Sequence, residues 1–581
     1  MPFSPLSPGV FVTEVDLTTS IPAVSTSTGG FAGVFNWGPV LQVTPVSSEQ
    51  QLASITSGFG FPDVNTATSF FSCTSFLSYS NALNIARAAG TGQKNATANG
   101  AGTVINNSND YFNNVYSTYV AGNPWTARYP GALGNSLKVL CWASNTAWTA
   151  DASNANSPNY TFANQFPFAP NTSPWLTQVS GGTEYGDELH ILVVDSGGQF
   201  TGTANTVLER FRGLSRLSDA LTPTGANNYY RYVVYNQSNF IYNTGIPAAN
   251  ANGWGVSSHS WVASNNDAAV NSFSLSAGAD GTVADANLEN AWGLFANTEQ
   301  VDVGLLFTAD QDSTVLDYIF SDIAGSSADN ERGDCVAFFS PPLANVLSNA
   351  SPVVTSITNY ANGLPFRSSY GVMDSGWKWF YDKYNDMYRW IPLNADIAGL
   401  CAQTDNVRDP WWSPAGLQRG LIKNALKLAY NPGLSDRNTL NSAGVNSVIQ
   451  RPGQGILLYG DKTFLNYSSA FDRINVRRLF IVLEKAISQA AQASLFEFND
   501  AFTRSQFVNL VTPFLTTVKG RRGITAFQVV CDQTNNTPEV INSHQFVGDI
   551  YIVPNYSINY IQLNFIAVQN GVNFNTIVGQ Y

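Results

Sequence analysis

Two short apolar runs constrain the fold of this chain more than any other feature of its sequence. VDVGLLFTA (301–309) and DCVAFFSPP (334–342) are continuous apolar runs rather than alternating ones. Such runs are typical of strands that are buried on both faces of a parallel sheet. Residues 313–323 lie between them and carry apolar side chains at helical spacing, at Val315, Leu316, Ile319 and Ile323. The pattern predicts an α/β layer in the middle of the chain.

Periodicity and stop signals predict further elements along the chain. A half-buried strand is expected in NYIQLNFIAV (559–568), where apolar and polar residues alternate. Other strands are predicted at 29–35, 137–143, 188–196, 526–532 and 549–554. Helices are predicted from apolar residues that recur on one face, at 75–89, 417–428, 476–500 and 504–519.

The length of the chain and a change in its composition predict inserted domains. A chain of 581 residues is too long for one hydrophobic core, so about three or four domains are expected. Residues 92–183 contain only five charged residues and are rich in Asn, Ser, Thr, Ala and aromatic residues. Such a segment is far longer than an ordinary connection and predicts an inserted β-rich domain. Residues 184–284 predict a second insertion of mixed α+β structure.

The charge composition limits the classes of partner. The formal net charge is −12, and charged residues are 12% of the chain, about half of the usual share. The sequence has no long Lys/Arg cluster, so a nucleic-acid partner is not expected. No apolar stretch reaches the roughly 18 residues that a membrane-spanning helix requires. The opening MPFSPLSPGVFV lacks a basic segment, so no secretory signal is expected. A weakly charged surface suits packing against further copies, although a monomer with a merely polar surface has the same composition.

GILLYGDKTF (455–464) matches a phosphate-binding loop only in the spacing of its glycines. Gly455 and Gly460 are separated as in such a loop, but Asp461 stands where the phosphate-binding lysine is required. The residues between the glycines are bulky and apolar, whereas a working loop turns its backbone N–H groups towards the anion. The segment therefore predicts a buried strand that ends in a turn, and no nucleotide site.

No other segment predicts a catalytic, cofactor or metal site. His190, His259 and His544 lie far apart, and no His/Cys pair has zinc-ligand spacing. AGADGTVAD (277–285) lacks the alternating oxygen ligands of a calcium loop. The five cysteines are widely separated, which predicts buried free thiols in a reducing compartment. No residue pattern points to an enzyme, although an active site can also be assembled from residues that are distant in sequence.

Segments spread over nearly the whole chain resemble tail sheath proteins of contractile-tailed bacteriophages. The longest are PGVFVTEVDLTTSIPAVSTSTGGFAGVFNWGPV (8–40) and SSYGVMDSGWKWFYDKYNDMYRWIPLNADIAGLCAQTD (368–405). The others occur in the same order, at 127–139, 455–464, 474–487, 496–507, 531–542 and 546–565. The agreement is weakest in 92–183, where these proteins vary most.

The resemblance implies a multidomain fold of the α+β and α/β classes. Its α/β core domains are formed by both chain ends and the middle, and its inserted β-rich domains protrude. Residues 1–22 form an arm that joins a tube-proximal core domain of 451–581, which carries an exchangeable tail. Residues 23–91 and 285–450 form the middle α/β domain. The two insertions, 92–183 and 184–284, are the parts that project outward.

The resemblance also implies a mechanical function without catalysis or a cofactor. Sheath subunits form hexameric rings, which stack helically around the tail tube in an extended, metastable state. Contraction makes the sheath shorter and wider and drives the tube through the host envelope during genome delivery. The implied partners are other copies of the chain, the tail tube protein, the baseplate and the tail terminator protein. The implied location is the virion, after assembly in the cytoplasm of the host bacterium.

Two sets of residues are predicted to make the contacts of such a sheath. Strand exchange between subunits needs extended apolar chain ends, and we expect it at Gly9, Val10, Val12, Val15, Leu17, Val572, Phe574 and Ile577. A basic group is expected to contact an acidic face of the tube, at Arg504, Lys519, Arg521 and Arg522. Cations are also favoured in the last turn of a helix, which accounts for Lys519 without a partner protein.

Two alternative functions fit the same sequence. A phage-derived bacteriocin or secretion machine uses the same kind of sheath, and the neighbouring genes would separate it from a phage tail. A tail-associated glycan-binding protein is suggested by exposed tryptophans, for which the first insertion offers Trp125, Trp142, Trp148 and Trp175. Tryptophans of a β domain are more often core residues, because they bury a large apolar surface.

Overall fold

The computed structural model describes residues 26–118, 120–181, 186–247, 253–261, 270–325, 332–347, 352–559 and 562. All residues of the predicted arm and tail contacts lie outside these ranges. The described residues form two compact units. The larger unit contains the described residues up to Pro410 together with Pro414–Ala493. The smaller unit contains Trp411–Ser413 and the described residues from Ser494 onward.

A seven-stranded central sheet organises the larger unit. Its strands follow the order Val445–Asn446, Gly371–Asp374, Val336–Phe339, Leu305–Phe307, Gly29–Gly33, Leu83–Arg87 and Val43–Val46. Every neighbouring pair is parallel except the last one. The strands of the two apolar runs are neighbours, with Leu305 opposite Val336, and every residue of both strands is buried. The predicted α/β layer is confirmed.

Helices pack with the central sheet to form the main hydrophobic core. They are Glu49–Ala53, Ala67–Leu77, Asp285–Trp292, Ser313–Asp322, Leu343–Val346, Val353–Gly363, Asn394–Val407, Leu434–Ser442 and Ile474–Ala491. The helix predicted between the two apolar runs is confirmed, and Asp312 caps it by accepting a hydrogen bond from the Thr314 N–H at 2.8 Å. We call Ile474–Ala491 the arginine helix, because it buries Arg477 and Arg478.

Two of the predicted helices are wrong. Residues 75–89 contain the end of the helix Ala67–Leu77 and then the central strand Leu83–Arg87. Residues 417–426 form a loop in which Leu421 bridges Leu457 of a neighbouring strand, and Lys427–Leu428 is itself a short strand. In both places the pairing of the backbone with a strand outweighs the helical spacing of the apolar residues.

The larger unit also contains two small antiparallel sheets. Trp377–Asp382 pairs with Met387–Pro392 and with Lys427–Leu428. Val448–Arg451 pairs with Gly455–Leu458. The apolar residues of this last strand are buried, so the prediction that GILLYGDKTF begins with a buried strand is confirmed.

The described residues of 92–284 share one antiparallel sheet and one core, and we call them the inserted body. Its four-stranded antiparallel sheet has the order Val270–Ser274, Leu137–Trp142, Glu188–Asp195 and Thr206–Ser215. Strands from both predicted insertions pair directly, since Leu137 lies opposite Asp195. Smaller pairs join Trp125–Ala127 to Ile241–Asn243 and Val120–Ala121 to Gly245–Ile246. The predicted division at residue 184 therefore cuts through a sheet.

Residues 92–183 also contain more helix than predicted. Their helical segments are Ser108–Asp110, Tyr111–Val115 (a π-helix), Ala132–Ser136 (a 3₁₀-helix), Asn145–Ala152, Tyr160–Ala163 and Pro174–Val179. Further along the inserted body lie the helix Tyr230–Gln237 and the 3₁₀ turn Ser258–Ser260. Side chains from both halves, including Val139, Ile191 and Phe211, share one core.

The two passages of chain between the central sheet and the inserted body lie side by side. Thr91 on the outward passage bridges Thr282 on the return. Arg87, at the end of a central strand, donates hydrogen bonds to the carbonyl oxygens of Gly38 and Pro130, each at 2.9 Å. Burial lowers the pKa of Arg87 to about 10. One buried guanidinium thus joins the central sheet to the inserted body.

The smaller unit contains one long helix and one hairpin. The C-terminal helix spans Ala501–Gly520. The C-terminal hairpin pairs Ile524–Val530 with Asp549–Pro554, and the short helix Pro538–Asn542 lies in the connection between these strands. These elements confirm the helix and the two strands predicted in this part of the chain. The last predicted strand, 559–568, lies largely outside the described residues.

The boundary between the two units lies near Ser494, whereas the C-terminal domain is predicted to begin at residue 451. The arginine helix belongs to the larger unit, because Ile474 and Ile481 are part of the main core. Arg478 of the same helix forms an ion pair with Asp405 at 2.6 Å. The core of the larger unit therefore extends further along the chain than the predicted boundary at residue 451.

Candidate assembly surface

The segment that follows the glycine-flanked strand is engaged within the chain. The Asp461 carboxylate forms an ion pair with Arg473 at 3.1 Å. Gly460 packs so closely on Asn446 that a Cβ there would lie 2.9 Å from the Asn446 Oδ1. Within the described ranges, no group of three or more His, Cys, Asp or Glu side chains is placed to hold a metal ion. The helices in those ranges include none with the length and apolarity to cross a membrane.

None of the three histidines belongs to a metal-ligand cluster in the described part of the chain. His190 is buried in a strand of the inserted body, and its ring stacks on Phe166 with the centroids 4.5 Å apart. Its Nδ1 accepts a hydrogen bond from the Gly213 N–H at 3.0 Å, and burial lowers its pKa. His259 and His544 are exposed elsewhere. His190 is therefore a packed core residue.

The four tryptophans of the first insertion are structural as well. Trp125 and Trp142 are buried, and the Trp142 Nε1–H donates to Asp151 at 2.9 Å. Trp148 is partly buried and donates to the Ala163 carbonyl at 3.0 Å. Trp175 is partly buried beside a small apolar cluster. These side chains do not form an exposed platform for a sugar.

The smaller unit exposes a large amount of apolar surface for its size. Its exposed large side chains are Leu495, Phe496, Phe498, Phe502, Tyr551, Val553, Tyr556 and Ile558. Contiguous exposed apolar surface marks sites where proteins bind one another. This unit is therefore the candidate assembly surface, and three of its regions differ in chemistry.

The C-terminal helix combines a strong cap with a single apolar stripe. The Asp500 side chain accepts hydrogen bonds from the N–H groups of Thr503 at 2.9 Å and Phe502 at 3.0 Å. The bond from Thr503, followed by the other contacts of this cap, lowers the pKa of Asp500. The buried stripe consists of Phe507, Val511, Leu515 and Val518. The helix is therefore anchored along one face.

The C-terminal hairpin is the first region of the candidate surface. Among the described residues its two strands pair only with each other, so each strand has an edge that no described strand covers. Tyr551 and Val553 on the second strand are exposed, as are Tyr556 and Ile558 just beyond it. An edge of this kind can bind an extended chain through main-chain hydrogen bonds.

The second region, which we call the basic end, consists of Lys519, Arg521, Arg522, Trp411 and Trp412. The three cations are exposed where the C-terminal helix ends. The Arg521 guanidinium lies 5.7 Å from the ring centroid of Trp411, and that of Arg522 lies 5.4 Å from the centroid of Trp412. The Trp411 Nε1–H also donates to the Arg521 carbonyl at 3.2 Å. The basic end is therefore a cation cluster supported by aromatic rings.

Arg504 does not share the exposure of the basic end. Its side chain is only 6% exposed, and its Nη1 donates to the Asn499 Oδ1 at 2.8 Å. Asn499 in turn donates to the Gln545 carbonyl at 2.7 Å. Burial gives Arg504 a structural role in fastening the loop before the C-terminal helix. The tube contact remains a prediction for Lys519, Arg521 and Arg522.

The third region, which we call the Phe loop, comprises residues 495–502. The sequence predicts a helix up to residue 500, but the arginine helix ends at Ala491 and only the 3₁₀ turn Gln492–Ser494 follows. Phe496 has a φ of 68°, which is rare for a bulky residue. The Phe loop was missed by sequence reasoning. The pair Asn499–Asp500 ahead of an apolar-periodic segment was the available signal, since such residues cap helices.

Two family models match consecutive parts of the chain. The phage tail sheath protein central domain matches residues 281–464, and the phage tail sheath C-terminal domain matches residues 467–567. The second match includes the arginine helix, which packs in the larger unit, and the described residues of the smaller unit from Ser494 onward.

Full-length relatives agree with these matches. The tail sheath protein of Vibrio phage KVP40 is 31% identical and aligns over 99% of this chain and 100% of its own length. The tail sheath protein of Enterobacteria phage T4 is 30% identical and aligns over 99% of each chain. The crystal structure of a sheath tail protein from Listeria innocua has the same fold, with a TM-score of 0.50 at 10% identity over 92% of this chain and 96% of that one. The chain therefore belongs to the phage tail sheath protein family and is a structural component of a contractile tail.

Proposed function

We propose that copies of this chain form hexameric rings, which stack helically around a tail tube as an extended, metastable sheath. Contraction shortens and widens the sheath and drives the tube through the host envelope during genome delivery. The subunit binds further copies of itself, the tail tube protein, the baseplate and the tail terminator protein. Assembly takes place in the cytoplasm of the host bacterium, and the sheath is then part of the virion.

The observation that carries this proposal is the C-terminal hairpin, whose strands pair only with each other among the described residues. A strand added from another copy would be held firmly by main-chain hydrogen bonds, while the arm that supplies it lets the two bodies turn. We assign the added strands to the arm around Gly9–Leu17 and the tail around Val572–Ile577. Neighbouring subunits then stay linked while their other contacts are exchanged.

The work of contraction comes from assembly, with no fuel molecule. A lattice that is trapped behind a barrier at higher free energy contracts spontaneously once the baseplate releases it. The subunits rotate and slide as rigid bodies. The contracted state gains contact area, on the order of 1,200–2,000 Å² for each new pair of neighbours. A modest gain per subunit is multiplied along the whole sheath.

We assign the smaller unit to the tube side of the sheath and the inserted body to its outside. The basic end then faces an acidic surface of the tube. This contact must release when the sheath contracts. Exposed ion pairs are worth roughly 0–1 kcal/mol each, so a few of them hold a subunit in place without preventing its release.

A proline substitution in the arm tests the proposal. V10P/V12P removes two backbone N–H donors that an added strand needs, so we expect folded monomers that form no striated sheaths in electron micrographs. V10T/V12T keeps both donors and serves as the matched control, which should assemble. Sheaths of normal length from V10P/V12P would contradict strand addition by this arm.

A further inference from the structure

The Phe loop carries the most exposed aromatic side chains in the described part of the chain. Phe496 is fully exposed, Phe498 is 86% exposed and Phe502 is 68% exposed. Leu495 beside them is also exposed. Removing such side chains from water is favourable. A surface of this kind calls for a partner in at least one state of the assembly.

Hydrogen bonds hold the Phe loop to the smaller unit at Asn499. Arg504 donates a hydrogen bond to the Asn499 side chain, and Asn499 donates one to the Gln545 carbonyl. Asn499 is therefore bonded to two other parts of the smaller unit. Phe496 has a left-handed backbone conformation, with a φ of 68°, which is rare for a bulky residue. A surface that is already ordered loses less conformational entropy on binding. Phe498 and Phe496 lie within three residues of this attachment and are exposed.

The two ends of the C-terminal helix are complementary in chemistry. The Phe loop combines phenylalanines with the carboxylates of Glu497 and Asp500, while the basic end combines cations with tryptophans. The helix has 20 residues and is about 30 Å long, so its two ends cannot meet in one copy. They can meet between neighbouring copies. Such a head-to-tail contact closes into a ring when the rotation between copies allows it.

We infer that the Phe loop of one copy docks on the basic end of the next copy, and that this contact forms in the contracted sheath. The inference rests on the proposed function, in which the basic end of the extended sheath contacts the tube. When the sheath widens, the basic end leaves the tube and becomes available to the neighbouring Phe loop. Contraction then buries apolar surface that the extended state leaves in water.

Cross-linking of isolated tails tests this contact. Ser505 and Gly520 are exposed near the two ends of the C-terminal helix, about 22 Å apart at about 1.5 Å per residue. All five native cysteines are buried, so a short bismaleimide reacts with the introduced thiols of S505C/G520C. We expect monomers from extended tails and a ladder of covalent oligomers from tails contracted by mild denaturant. Each single variant is the control and should give no ladder.

The cross-linking result has two outcomes that oppose the inference. A contracted sheath without a ladder, or an equal ladder from extended tails, would overturn it. In either case the presence of sheaths on tubes leaves the proposed function standing. Failure of the wild-type chain to form any sheath would instead overturn the proposed function.

A second variant tests the contact without cysteines. F496S/F498S should assemble extended sheaths of normal length, because the loop is unpaired in that state. After the same denaturant step, we expect the contracted fraction in electron micrographs to fall severalfold. Phe112, an exposed phenylalanine of the inserted body, supplies the matched control F112S, which should contract normally. Normal contraction of F496S/F498S would overturn the inference.

Discussion

At the scale of single residues, the sparse charges of this chain include pairs that are deeply buried. Arg478 and Asp405 lie 2.6 Å apart with side chains only 3% and 9% exposed. Thr26 also donates to Asp405, at 2.8 Å. Burial lowers the pKa of Arg478, but the charge and hydrogen bond of Asp405, together with Cys401, outweigh burial, and the pKa is raised. The pair fixes the arginine helix against the helix Asn394–Val407.

Breaking this pair should destabilise the larger unit. R478M leaves the Asp405 carboxylate buried without its cation, which typically costs about 3–5 kcal/mol. We expect a lower urea midpoint for the unfolding of the larger unit, followed by tryptophan fluorescence. K383M is the matched control, because the Lys383–Glu49 pair is largely exposed, with Lys383 at 57%, and its loss should cost about 0–1 kcal/mol. Equal midpoints for R478M and K383M would contradict the assigned role of the buried pair.

At the scale of elements, the sequence predicts a strand or helix where one local pattern dominates. The apolar runs at 301–309 and 334–342 contain buried strands as expected, because a short run without polar residues is stable only where both of its faces are buried. The predicted helix at 75–89 fails because the apolar spacing of Phe76, Leu83 and Ala86 runs across two elements. Phe76 lies in the last turn of one helix, while Leu83 and Ala86 lie in a strand that pairs with Gly29–Gly33. The spacing of neighbouring apolar residues gives no information about pairing with a strand that is distant in the sequence.

The candidate surface was predictable only in part for the same reason. The cations at 519–522 are visible in the sequence, because charge near a helix end is a local signal. The burial of Arg504 is not visible, since it depends on Asn499 and Gln545 lying beside it in space. The exposure of the Phe loop is also a property of the folded unit, because a run rich in phenylalanine otherwise indicates a core.

The cap of the C-terminal helix gives a prediction with a definite pH dependence. D500A should lower the melting temperature of the smaller unit at pH 7, because two N–H groups lose their acceptor. The pKa of Asp500 is lowered in the folded protein. Its charged form therefore stabilises the fold above the ordinary carboxyl pKa, and this contribution is lost as the pH falls through the lowered value.

Calorimetry across the acid range measures this effect. The difference in melting temperature between the wild type and D500A should shrink as the pH falls. D500N is the matched control, because asparagine caps a helix but does not titrate, and it should stay close to the wild type at pH 7. A difference between wild type and D500A that is the same at every pH would mean that the carboxylate charge contributes nothing to the cap.

At the scale of the whole molecule, domain boundaries depend on which strands pair with each other, and amino-acid composition does not predict that pairing. The low-charge segment 92–183 is a real part of the inserted body, but its strands complete a sheet with strands from 184–284. Similarly, the arginine helix follows residue 451 in the chain yet joins the core of the larger unit. Composition locates the start of an insertion, whereas long-range strand pairing and core contacts decide where a structural unit ends.

The proposed contact with the tube gives a prediction at this scale. R521E/R522E reverses two charges of the basic end, so we expect shorter sheaths and a lower yield when the chain assembles on isolated tubes. R210E/R212E is the matched control, because it reverses two exposed arginines in a strand of the inserted body. Electron microscopy measures sheath length for both. Unchanged length and yield for R521E/R522E would count against the tube contact.

The bridge between Thr91 and Thr282 has a consequence for engineering. A segment whose two ends lie next to each other can be exchanged for a foreign domain with similarly spaced termini, because the host fold does not have to stretch. A cargo grafted between these two positions would be carried once by every subunit. If the segment lies on the outside, as assigned above, the tail becomes a scaffold that displays the cargo at regular intervals.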